Sequence, residues 1–200
     1  MKSIRRILWA SDGLKESSFA QKFSELLAKQ FQAQIIGLHV IPYIEHIISG
    51  YPTEILDWFK EAEDSAHKRF EEIKKKLNEK GIKFRKVVSK GEPHQEILNI
   101  SRKEKTDLII MGKRGHESVQ RDPLGSTAIK VLRGSSIPVL TTKYKKGKIG
   151  MKRILVPVDF SKKRSPVLEY AMNLARTFKA KIYLLNVFEL IILITTRSSF

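Results

Sequence analysis

Cysteine is absent from this chain. That absence removes disulfides, thiolate nucleophiles and cysteine-ligated zinc together. Acidic residues are scarce: 21 Asp and Glu stand against 38 Lys and Arg, a formal net charge of +17. No apolar run approaches the roughly 20 residues that a membrane-crossing helix needs. The opening residues MKSIRRILWA run straight into an apolar segment without a signal-peptide cleavage pattern, so a cytoplasmic protein without a membrane partner is expected. The five histidines, His39, His46, His67, His94 and His116, show no metal-ligand spacing. There is no Gly-x-Ser-x-Gly elbow, kinase signature or Walker A lysine motif, and no catalytic residue is assigned.

What is present is a globular composition, with 42% apolar and 30% charged residues in a length of 200. That length suits one domain, or one domain and part of another. The basic excess is uneven. Residues 101–150 carry 12 basic and 4 acidic groups, and residues 151–200 carry 9 and 3. Nucleic acid is one anionic partner such a balance allows. Aromatic residues do not interleave with the basic runs, which disfavours it. Trp9 and Trp58 read as core or interface residues instead of base-stacking platforms.

The chain contains an internal repeat. The segment from Arg6 aligns without gaps on the segment from Arg153, an offset of 147 residues. Ile7/Ile154, Leu8/Leu155, Asp12/Asp159, Ala28/Ala175, Phe31/Phe178, Ala33/Ala180, Leu38/Leu185 and Val40/Val187 correspond. A period of that size marks a duplicated domain instead of a solenoid. The expected division is a complete domain over 1–143, a linker over 144–150, and over 151–200 a shortened second copy of strand, helix, strand and apolar tail. In that copy Asp159 reads as a structural inheritance.

Hydrophobic periodicity alternates along the first copy. Short apolar runs at Ile4–Ala10, Gln34–Ile41, Ile82–Val88, Asp107–Met111 and Ile137–Thr142 predict strands. Between them, three- and four-residue apolar spacing predicts helices over Leu14–Phe31, Ile55–Leu77, Glu92–Lys103 and Leu124–Leu132. Gly81 suits a helix C-terminus, and Pro93 a first helical turn. This alternation predicts an α/β fold with an open parallel five-stranded sheet and helices on both faces. Right-handed crossovers suggest the strand order 3-2-1-4-5, with ligands binding where that order reverses, between strands one and four.

Two loops meet at that reversal. One holds Ser11, Asp12 and Gly13. The other begins Met111-Gly112-Lys113-Arg114-Gly115-His116 and ends Arg121-Asp122-Pro123-Leu124-Gly125-Ser126-Thr127. Glycines let backbone N–H groups turn toward an anion. Gly125, Ser126 and Thr127 open a helix, at the positive end of its dipole. Lys113, Arg114 and Arg121 add positive charge, and His116 reads as a solvated loop residue.

The spacing Gly112-x2-Gly115-x9-Gly125-Ser126 resembles the glycine signature of the ATP-binding branch of the universal stress protein family. The resemblance extends over Ser3–Lys143, and again over Met151–Phe188. It takes in Asp12 after strand one, Leu38-His39-Val40 in strand two, and Ile137-Pro138-Val139-Leu140 in strand five. The family commonly has proline two residues before the aspartate. Ala10 stands there in the first copy and Pro157 in the second.

The resemblance implies a Rossmann-like fold of the adenine nucleotide alpha hydrolase type, and a site for ATP, accompanied by Mg2+. Asp12 would meet the adenine–ribose end and the Val40 backbone the adenine edge. Met111, Gly112, Lys113, Arg114, Gly115, Gly125, Ser126 and Thr127 would surround the ribose and phosphates. The expected function is a regulatory, stress-response nucleotide binder with at most slow ATP hydrolysis. The alternatives are a dimeric interaction protein of the same fold that binds no nucleotide, and a basic nucleic-acid-associated protein. The apolar residues Leu184, Leu185, Leu190, Ile191 and Ile192 call for a partner surface, and a homodimer is expected.

Overall fold

The computed structural model describes residues 4–42, 53–113, 125–143, 147, 149–159 and 166–187. The chain divides into two compact units, Met1–Ile149 and Gly150–Phe200. The first unit runs β1 (Arg6–Ser11), α1 (Lys15–Phe31), β2 (Gln34–Pro42), α2 (Thr53–Glu79), β3 (Phe84–Gly91), α3 (Pro93–Lys103), β4 (Leu108–Gly112), α4 (Ser126–Gly134) and β5 (Val139–Thr142). The strands form one parallel sheet in the order β3-β2-β1-β4-β5. This is the order expected from right-handed crossovers.

Each inner strand is buried on both faces, which is why its sequence is apolar throughout instead of alternating. On one face Leu8, Ala10, Ile36, Leu38, Ile109 and Met111 pack with Ile97 of α3 and Ala128 and Val131 of α4. On the other, Trp9 of β1 meets Phe70 of α2 edge-on, with ring centroids 5.8 Å apart. Phe70 in turn packs on Phe84 at 5.8 Å. Gly37 pairs with Trp9 in the ladder, and it makes room for these rings. A Cβ there would lie 2.5 Å from Phe84 Cζ and 3.1 Å from Phe70 Cε1.

Helix ends decide where strands begin. At the end of α2, Gly81 takes φ +72°. The Gly81 N–H donates to Asn78 O, and the Ile82 N–H reaches back to Leu77 O, both at 2.9 Å. Ile82 is buried, but its N–H closes the helix, so β3 starts at Phe84 instead of at Ile82. Similarly, α4 starts at Ser126 instead of Leu124, because Gly125 has φ 80° and ψ 141°, outside helical space.

The second unit holds β6 (Arg153–Pro157), α5 (Pro166–Phe178) and β7 (Lys181–Leu185), with β6 and β7 paired in parallel. Its hydrogen bonds reproduce those of β1-α1-β2 at the sequence offset. Gln34 N–H donates to Arg5 O at 2.8 Å, and Lys181 N–H to Lys152 O at 2.9 Å. Ala33 N–H reaches Ala28 O at 3.0 Å, and Ala180 N–H reaches Ala175 O at 2.9 Å. Gln32 and Lys179 both end their helices with positive φ, 53° and 52°. What differs is cover. Leu8, Ile36 and Leu38 are at most 1% exposed, whereas their counterparts Leu155, Tyr183 and Leu185 are 64%, 49% and 44% exposed.

Candidate functional site

The carboxyl ends of β1, β2 and β4 open on a cavity of about 430 Å³, within the roughly 300–1,000 Å³ of small-molecule sites. It lies at the reversal of strand order, where β1 separates β2 from β4. Asp12, Val40, Met111, Gly112, Gly125, Ser126 and Thr127 all line it. These residues come from three strand ends and one helix start, so the fold brings together positions more than 100 residues apart. Lys113 is half-buried beside them, and its N–H donates to Thr142 O at 2.7 Å, tying β4 to β5. Arg114 and Gly115 lie outside the described residues, as do His116 and Arg121.

The β1–α1 turn is held by short-range bonds. Asp12 Oδ1 accepts the Leu14 N–H at 2.9 Å, and Ser11 Oγ accepts the Gly13 N–H at 3.3 Å. Trp9 Nε1 donates to Ser17 O at 3.0 Å, fastening the first turn of α1 to β1. Gly13 has φ +82°, and the Arg69 guanidinium from α2 occupies the space a Cβ would need. An L side chain there would be both strained and obstructed.

His39 also lines the cavity. Its Nδ1 is 2.8 Å from the Ser11 carbonyl oxygen. A carbonyl only accepts, so Nδ1 carries the proton and neutral Nε2 is left as an acceptor. Burial lowers the His39 pKa below the ordinary 6.5. The Ser11 bond opposes that shift, the Arg69 charge adds to it, and the Asp12 charge opposes it.

On the far face, α4 begins at Ser126, and Ser126 and Thr127 line the cavity. The first N–H groups of a helix have no partner within it. α3 adds Pro93 and Ile97. Beside Pro93, the His94 ring at 2.9 Å and Lys130 at 3.6 Å approach the Glu92 carboxylate. The His94 hydrogen bond leads in lowering the pKa of that carboxylate. Among the described residues, no group of three or more His, Asp or Glu could hold a metal ion.

Sequence reasoning missed His39, Leu14, Trp58, Ala62, Pro93 and Ile97 as lining residues. Trp58 and Ala62 are four apart, hence on one side of α2. That spacing was readable, but not which side faced a cavity. Trp58 is 57% exposed, so it is no core residue, whereas Trp9 is buried as expected.

A model described as the universal stress protein family matches residues 3–143 and again 150–192. The chain is 32% identical over 145 residues to universal stress protein MJ0531 of Methanocaldococcus jannaschii, spanning 71% of this chain and 84% of that one. The solved structure of protein MJ0577, from the same organism, superposes with TM-score 0.62 at 30% identity, over 73% of this chain and all of that one. A universal stress protein structure from Archaeoglobus fulgidus superposes with TM-score 0.73 at 26% identity, over 92% of this chain and 67% of that one.

Proposed function

Because the chain belongs to the universal stress protein family, we propose that it binds ATP or a related adenine nucleotide in the cavity at the strand-order reversal. One observation carries this reading. The cavity joins a strand-end floor at Asp12 and Val40 to the start of α4 at Gly125, Ser126 and Thr127. The floor offers backbone donors and acceptors to a base edge, and a carboxylate to ribose hydroxyls. The α4 start offers N–H groups, two hydroxyls and the positive end of a helix dipole to phosphates. Gly112 lets the chain pass close to the ribose, and Lys113 adds charge to that side of the site.

The donor set fits a triphosphate, and Ser126 and Thr127 provide hard oxygen ligands that suit Mg2+. A Mg2+ ion is commonly held by nucleotide oxygens and few protein groups, so the lack of an acidic cluster among the described residues is compatible with it. No general base is assigned from the sequence, so the proposed hydrolysis is slow at most and the proposed role is regulatory. No described helix is long and apolar enough to cross a membrane, and the proposed setting is the cytoplasm.

Equilibrium dialysis of the full chain against ATP tests the reading. Saturable binding is expected at or below millimolar nucleotide, with phosphate release far slower than one turnover per second. No binding at millimolar ATP overturns it, and rapid turnover overturns the regulatory role.

A homodimer is proposed alongside. The observation favouring it is the exposed apolar set Leu155, Tyr183 and Leu185, which share one face of β6 and β7. A patch of this kind marks an interaction surface.

A further inference from the structure

We infer that Trp58 is the platform on which the nucleotide base stacks; this rests on the adenine-nucleotide reading above. Trp58 lines the cavity and yet is 57% exposed, so its indole stands at the mouth instead of in the packed core. An apolar ring of that size left in water gains from being covered. Its described ring contact is an edge-to-face one with Phe59, at 5.1 Å and 73°.

Position within the fold selects the base over the phosphates. α2 packs through Phe70 on the sheet face that carries Trp9, whereas α4 packs on the opposite face with Ala128 and Val131. Trp58 and the phosphate-holding start of α4 therefore stand on different walls. One turn along α2, Ala62 lines the same cavity, and it sets a small side chain on the same side of the helix as the indole. Val40, Ile41 and Leu14 add apolar lining to the cavity. Stacking against an aromatic tolerates any base, since every base has a π-face. Trp58 thus supplies affinity, and base choice is left to the strand-end backbone.

The test measures binding of ATP and of inorganic triphosphate to the full chain, to Trp58→Ala and to Trp58→Phe. Trp58→Ala is expected to weaken ATP binding roughly 5- to 150-fold and to leave triphosphate affinity unchanged. Trp58→Phe is expected to keep most of the ATP affinity. ATP should quench indole emission in the parent protein but not in Trp58→Phe, whose remaining Trp9 is buried and bonded to Ser17 O.

If the parent binds ATP and Trp58→Ala binds it equally well, the inference falls while the nucleotide reading stands. A Trp58→Ala variant that loses triphosphate affinity as well has lost the site generally, and the inference falls. The same holds if Trp58→Ala alters the oligomeric state with ATP affinity intact, which would make Trp58 an interface residue. A parent protein that does not bind ATP overturns both.

Discussion

At the residue scale, the site depends on side chains whose partners lie far along the sequence. His39 is held by Ser11, 28 residues away, and feels the charges of Asp12 and of Arg69 from α2. Its lowered pKa makes stability depend on pH. Between the ordinary value of 6.5 and the lower folded value, the unfolded chain binds a proton that the folded one does not. The His39 contribution is therefore complete above 6.5 and declines as pH falls toward the folded value. Urea unfolding from about pH 7.5 down to about pH 5 should show a loss of stability in the parent that is smaller in His39→Gln. Equal pH slopes in the two proteins would remove His39 as the source. The sequence placed His39 in strand two beside Val40, but not its bond to the Ser11 carbonyl, because that contact joins two strands 28 residues apart.

At the element scale, helix termini set both the ladder and the site. α2 ends through Gly81, and α3 begins with Pro93 in its first turn; both were legible, since glycine and proline each answer a specific backbone demand. The start of α4 was harder to place. Periodicity pointed to Leu124, but Gly125 adopts φ 80° with ψ 141°, a region essentially reserved for glycine. This conformation starts the helix at Ser126, so that Ser126 and Thr127, both lining the cavity, form its first turn. Gly125→Ala is expected to strain the turn by roughly 1–3 kcal/mol and to weaken nucleotide binding more than it lowers the unfolding midpoint. Calorimetric titration with ATP beside thermal melts measures both, and an unaltered ATP affinity would count against α4 as the phosphate wall.

At the scale of the whole molecule, the duplication has produced two units with different degrees of cover. In the first, α3 and α4 close the face made by Leu8, Ile36 and Leu38. In the second, Leu155, Tyr183 and Leu185 occupy the matching ladder positions and are exposed. A second copy of the chain is the proposed cover. Light scattering of the full chain should return the dimer mass, and Leu155→Glu with Leu185→Glu should return the monomer with ATP affinity retained. A parent monomer at micromolar concentration would dispose of the dimer. The net charge of +17 opposes self-association at low salt, so the dimer fraction should grow as salt screens it.

The sequence by itself determined the alternation of strands and helices, the duplication at 147 residues, the strand order and the pair of loops at its reversal. These follow from local periodicity and from the handedness of crossovers, which need no knowledge of distant contacts. The tertiary structure alone decided which residues face the cavity. Trp58 and Trp9 are the same residue type on amphipathic or apolar segments, yet one stands at the mouth and the other lies in the core. Whether a side chain meets solvent, a ring or a ligand depends on which helix face turns toward which sheet face. That is settled by packing between elements, not by the order of residues within one.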